Sequence, residues 1–328
     1  MRALPLSLRT GVFVVAVASC GGEITTEVVP PAPCVDEEVP SLGQATALDV
    51  SGDAVAWGTE NGGVFIHEHG VTSILGHAGS APVTGIAMDG ARVLAVSEQG
   101  LMAFSRTAAP TVILVEVDRP VALSARGGRS CLVERGATRF GTLHCWTGAK
   151  PDLVQSGLVD AGGLALDGAA AYVGVYGVTG TTIAGGRIVR VPFDGSAPTA
   201  VAVAPRPRFV IDDGNVYVAR DGGASTVLHA WFVAYPKLGP LDADAPERIV
   251  GDDPGTLSGL AVGGPYLFAA IYRGPSDDVL LRNPLDSGPP ETLGHLDDGT
   301  TYGELRVTDR MLVVAIHGTS PRLEKRCR

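Results

Sequence analysis

Residues 164–176 read LALDGAAAYVGVY: an apolar-x-apolar triplet, an Asp-Gly turn signal, then a second apolar run. Asp-Gly supplies the positive φ that a tight hairpin needs, so the stretch reads as two short antiparallel strands. The unit recurs as LDVSGDAVAW from Leu48, IAMDGARVLAV from Ile86, VALSARGGRSCLV from Val121, FVIDDGNVYVA from Phe209, LAVGGPYLFAA from Leu260 and LRVTDRMLVVA from Leu305. With Gly52, Gly90, Gly128, Gly168, Gly214, Gly264 and Asp309 as turn markers, the intervals are 38, 38, 40, 46, 50 and 45 residues, a mean near 43. That period belongs to a propeller blade of four antiparallel strands. Seven copies predict an all-β chain: a seven-bladed β-propeller over residues 41–328, with each triplet as an innermost strand.

The remaining strands follow from the same spacing. GGVFIHEH, GLMAFSR, GTLHCWTG, GGRIVRVPFDG, STVLHAWFV and DDVLLRNPLD read as third strands, and VTSILG, PTVILVE, PDLVQSG, PTAVAVA, PERIVG and PETLGH as fourth strands. They run continuously apolar, as strands do when neighbouring sheets cover both faces. No segment of a dozen residues keeps a helical period. Trp57, Trp146 and Trp231 fall on second or third strands, where packing between blades is their expected role. The seventh unit ends after a possible third strand, SPRLEKRC, so an N-terminal strand near residues 34–39 is expected to complete it and close the ring. Closure would bring Cys34 to Cys327, and a disulfide between them is predicted to lock the ring. Cys131 and Cys145 lie on the second and third strands of blade three, symmetric about the connecting turn, and are predicted to form a second disulfide. In an exported protein four thiols read as two bridges. No CxxC or zinc-type Cys/His spacing occurs.

Export is itself a prediction. MRALPLSLRTGVFVVAVASC places an apolar run, too short to span a bilayer, after Arg2 and Arg9, and so suits a secretory signal. Val17, Ala18, Ser19 and Cys20 resemble the bacterial lipobox. The resemblance implies cleavage after residue 19, a diacylglycerol thioether on Cys20 and a third acyl chain on the new N-terminus; two chains already suffice for stable anchoring. A plain signal peptide cut at a nearby Ala or Ser is the other reading. Gly21 leans the assignment toward the outer membrane of the cell envelope. Residues 20–40, acidic and proline-bearing, read as a flexible tether. Formal net charge is -10, and loss of Arg2 and Arg9 makes the mature chain -12, which argues against a nucleic-acid partner.

The units resemble the repeats of bacterial β-propeller lipoproteins, most clearly in GRIVRVPFDGSAPTAVA. That resemblance implies fold and export, not activity. Asp49 and Arg306 replace the usual Ala of the triplet in blades that become neighbours on closure; they form an ion pair lining the channel, or each is solvated. His67 and His69 of the HEH triplet fall on one face of an extended strand and are candidate metal ligands, with His77 as a third; exposed strand histidines are the plain alternative. Paired aspartates, Asp212 with Asp213, Asp242 with Asp244, Asp252 with Asp253, Asp277 with Asp278 and Asp297 with Asp298, are of the type that holds calcium, without EF-hand spacing; no other cofactor is expected. HExxH and GxSxG are missing. The expected function is a membrane-anchored binding or scaffold module, a monomeric ring that engages a partner protein or extracytoplasmic ligand. Its binding rim is placed at the long insertions of blades four to six, with Tyr176, Tyr235 and Tyr272 as aromatic contacts. The alternative is a lyase or hydrolase with its site at the channel mouth, which no residue spacing here assembles.

Overall fold

Consecutive strands of the chain pair side by side into seven four-stranded antiparallel sheets. The computed structural model describes residues 35–328, except 91, 115, 137–138, 149, 177, 180–181, 184–185, 204–207, 222–228, 238–247, 275–276, 287 and 297–298, and the backbone of Val14–Val15 and Glu27–Val28. Two units divide the chain, Met1–Val35 and Asp36–Arg328. Within the first, Val14–Val15 pairs antiparallel with Glu27–Val28. Cys20 and Cys34 lie outside the described residues.

Blade one is Ala45–Ser51, Ala54–Thr59, Gly63–Glu68 and Val71–His77; blade two is Gly85–Asp89, Arg92–Ser97, Gly100–Phe104 and Thr111–Leu114. Blade three is Pro120–Arg126, Arg129–Glu134, Phe140–Trp146 and Asp152–Val159; blade four is Gly163–Leu166, Ala170–Val175, Arg187–Pro192 and Thr199–Val203. Blade five is Phe209–Ile211, Asn215–Asp221, His229–Pro236 and Arg248–Pro254; blade six is Thr256–Gly263, Tyr266–Gly274, Asp277–Pro284 and Glu291–Leu296. Blade seven takes Thr301–Val307, Met311–His317 and Arg322–Cys327 from the C-terminus and Glu37–Pro40 from the N-terminus. Val39 faces Leu323 and Glu37 faces Lys325 in that antiparallel pair, so the expected closure is present. Glu37–Pro40, read within the tether, is therefore a strand of the ring.

The second strands are buried almost end to end, because each sheet is covered on both faces by its neighbours. Among the described residues the core falls into seven clusters, one at each blade junction. The seam between blades seven and one is as apolar as the rest, with Val39, Leu48, Trp57, Phe65, Val313 and Leu323. Trp57 stacks on Phe65 with ring centroids 5.4 Å apart. Cys131 and Cys145 stand directly opposite each other, Cα atoms 4.1 Å apart, and are bonded. Cys327 is disulfide-bonded as well. Its predicted partner, Cys34, lies outside the described residues.

The hairpin turns use two devices. Gly52, Gly90, Gly128 and Gly264 adopt the expected positive φ. Gly168 and Gly214 do not, because an aspartate side chain closes those turns instead. Asp167 Oδ1 accepts the amides of Ala169 and Ala170, and Oδ2 accepts the Tyr172 hydroxyl at 2.9 Å. Asp212 repeats the pattern with Gly214, Asn215 and the Tyr217 hydroxyl at 2.7 Å. Such Asx turns replace the backbone conformation that glycine would otherwise supply.

Candidate functional site

Alternation of strand direction sorts every connector to one of two rims. Links between first and second strands and between third and fourth strands emerge on one rim, called lower here. Links between second and third strands and between successive blades emerge on the upper rim. This separates residues that the sequence reading grouped together. The insertion after Val175, which carries a small hairpin of Val178–Thr179 and Thr182–Ile183, and the connector after Gly274 both open on the upper rim. The connector after Pro236 joins third to fourth strand and opens on the lower rim. Tyr176 and Tyr272 thus belong to the upper rim; Tyr272 is 37% exposed and Tyr176 is half-buried. Tyr235, near the lower end of its strand, is half-buried and receives the Arg220 guanidinium on its hydroxyl. The expected single rim holding all three tyrosines is corrected on topological grounds.

The innermost strands surround an axial cavity of about 520 Å³. An innermost strand is an edge strand, so its inner backbone groups lack ladder partners. Charged side chains supply them from the preceding blade. Asp49 of blade one accepts Met88 N–H of blade two at 2.8 Å, and Arg126 of blade three donates to Leu166 O of blade four at 3.4 Å. Arg208 of blade five donates to Leu257 O of blade six, and Glu304 of blade seven accepts Leu48 N–H of blade one at 3.0 Å. Acids cap amides and arginines cap carbonyls, each reaching one blade onward. Asp49 and Arg306 both line the cavity, but the seam is bridged by Glu304, which also holds Arg306 at 3.4 Å. Burial pushes the Asp49 carboxyl above its usual range, opposed by the positive charge of Arg306. Neither alternative, a direct ion pair or two solvated side chains, describes them: Asp49 makes a backbone contact and Arg306 pairs with Glu304 of its own strand.

His67 and His69 do not share a site. The strand ends at Glu68, and His69 turns away with φ +52 into solvent, so alternation stops before it. His67 is buried, with Nε2 3.0 Å from Glu37 Oε1 and Nδ1 3.0 Å from Thr72 Oγ1. His77 is exposed at the end of the fourth strand. Among the described residues no group of three His, Cys, Asp or Glu side chains has metal-holding geometry. The acidic pairs go separate ways. Asp212 closes a turn, Asp213 lies 3.6 Å from Arg126, and Asp277 meets His295 at 2.9 Å. Asp278 is buried, accepts Tyr302 N–H at 2.8 Å, and is pushed up to about 6 by burial, with that amide opposing and Asp277 assisting. Asp242, Asp244, Asp297 and Asp298 lie outside the described residues, as does the Asp253 side chain.

Sequence reasoning missed Lys237. It is buried against blade four, with Nζ 2.7 Å from Asp167 Oδ2, 2.8 Å from Asp212 O and 5.2 Å from the centre of the Tyr172 ring. Burial would raise the Asp167 carboxyl, but Lys237, the Ala169 and Ala170 amides and the Tyr172 hydroxyl outweigh it and hold it down to about 2. The repeated Asp-to-Tyr spacing in LDGAAAY and IDDGNVY was the available signal for the turn half of this cluster. Nothing local marked the lysine, which arrives from another blade.

A closed ring of seven such sheets defines a seven-bladed β-propeller. The chain is similar in fold to the structure of U3-55K, at 10% identity and TM-score 0.62 over 88% of this chain and 98% of that one. It is likewise similar to the WD40 repeats of RRP9 (10%, 0.61, 89% and 97%) and the WD40 β-propeller domain of Doa1 (9%, 0.60, 88% and 95%). No protein-family model and no curated protein matches the chain. At these identities the likeness is one of fold alone.

Proposed function

We propose that the chain is an exported, lipid-anchored β-propeller that binds a partner protein on its upper rim at blades four to six. One observation carries this reading: two of the long insertions, after Val175 and after Gly274, open on that one rim of a rigid frame, as do Tyr176 and Tyr272. Loops held by such a frame are the usual seat of recognition, and tyrosine is favoured at protein contacts. The lipobox ending in Cys20 supports anchoring in a bacterial envelope, with the outer membrane as the preferred address. The Cys131–Cys145 bridge and the bonded Cys327 suit an oxidising compartment.

The test is affinity capture after cross-linking in intact envelopes, comparing three baits. Wild type is expected to retain a specific protein that is lost when residues 177–186 are replaced by Asn-Gly and Tyr272 by Ala. A lower-rim control with residues 194–198 altered is expected to retain it. Equal recovery by all three baits would refute the assignment of the rim.

A further inference from the structure

We propose that the cleft between blades one and two on the lower rim binds an anionic amphiphile, a carboxylate carried on an unbranched apolar chain. The cleft encloses about 440 Å³, within the range of about 300–1,000 Å³ usual for small-ligand sites. Ala54, Ile66, Val93 and Phe104 form a buried apolar floor, extended by the half-buried Leu75 and Met88. A wall of this kind accepts a hydrocarbon chain through burial of apolar surface and dispersion contacts.

The lip supplies the opposite chemistry. Arg92 and Arg106 stand at the mouth with side chains 44% and 49% exposed, against 13% for Asp89 and 26% for Glu68, and Glu68 is the one carboxylate among the described residues that line the cleft. Glu68 pairs with Arg106 across the blade junction, while Asp89, which does not line the cleft, holds Arg92 at 2.6 Å. The reachable ends of both pairs are therefore the arginines, and a carboxylate entering the mouth meets two forked donors. An anionic head is therefore selected over a cationic one. The site opens on the rim opposite Tyr176 and Tyr272, so it is independent of partner capture there.

Calorimetric titration of the purified full-length chain with decanoate, decanol and decylammonium, each below its aggregation concentration, tests the assignment. Decanoate is expected to bind saturably at one site, with decanol and decylammonium weaker by about tenfold or more. Arg106→Ala and Arg92→Ala should each weaken decanoate by about tenfold at unchanged Tm. Met88→Trp, which fills the cleft, should abolish binding; if that variant melts early, Ser51→Trp closes the mouth from an exposed position. The proposal is overturned by no saturable decanoate binding, by equal affinity for the three head groups, or by undiminished binding in a folded cleft-filling variant.

Discussion

Lys325, on the last strand of the chain, donates to Glu37 Oε2 at 2.9 Å across a separation of 288 residues. The other oxygen of the same carboxylate lies 3.0 Å from His67 of blade one, so Glu37 ties the N-terminal strand to both sides of the seam. Lys325 holds the Glu37 carboxyl below its ordinary 4.5, against burial, with His67 assisting. Burial holds the His67 imidazole below its ordinary 6.5, with Glu37 opposing. Both depressed values act in the same direction: each contribution is complete above the unfolded-state value and is lost as pH falls. Melting temperature is expected to decline from pH 6.5 downward through His67, and again below pH 4.5 through Glu37. His67→Gln should remove the first step and leave a smaller second one, held by Lys325. A flat profile between pH 7 and 5 in wild type would contradict this account of the seam.

The buried carboxyl of Asp278 has the opposite linkage. Its value of about 6 lies above the ordinary 3.8, so its protonated form stabilises the fold below pH 3.8 and that benefit is lost as pH rises through 6. At pH 8, Asp278→Asn is expected to stabilise by roughly 2–3 kcal/mol, the energy of such a shift. The difference should shrink toward zero near pH 4. Denaturant unfolding at the two pH values gives the comparison, and a variant less stable than wild type at pH 8 would contradict the buried-charge reading.

Removal of Lys237 leaves the Asp167 carboxylate without its cation in a mostly buried place. Lys237→Met is expected to cost about 3 kcal/mol, as loss of one member of a buried pair does. The double variant with Asp167→Asn should recover part of that loss, since the stranded charge is gone. Urea unfolding of the three variants measures it; additive losses would show that the pair is not coupled.

The Cys131–Cys145 bridge closes a segment of sequence separation 14. Replacing both cysteines by Ala is expected to cost about 3 kcal/mol on the chain-entropy account. Non-reducing peptide mapping should recover this bridge together with Cys327 joined to Cys34. A peptide joining Cys34 to Cys131 would break the proposed closure.

Anchoring is tested at Cys20. Metabolic labelling with a radioactive fatty acid should mark the wild-type chain, and Cys20→Ser should lose the label and shift the protein to the soluble fraction. Retained label in the variant would place the acyl chain elsewhere.

Local pattern was enough for the blades. The triplet, turn and apolar run recur at a spacing that, with strand-type patterning, fits a four-stranded blade, and the third and fourth strands fell where the spacing put them, from GGVFIHEH to Gly63–Glu68 and from PETLGH to Glu291–Leu296. The Cys131–Cys145 pair was legible because hairpin register is a local property. The HEH triplet misled for the same reason inverted: alternation holds only while the strand lasts, and the positive φ of His69 ends it. The three tyrosines were grouped by insertion length, which carries no record of which end of a strand an insertion leaves.

Composition and period by themselves determined the strand content and the number of blades, because hairpin chemistry acts between residues near in sequence; the meeting of the two termini followed from the strand count, which left the last blade short at the C-terminus. Tertiary structure alone decided what each charge does. Along the chain only Asp49 and Arg306 stand out as channel residues, yet Asp49, like Arg126, Arg208 and Glu304, satisfies a backbone group of the next blade. Their partners become neighbours only when the ring closes, since an unpaired inner edge exists only once an innermost strand has been formed and turned toward the axis.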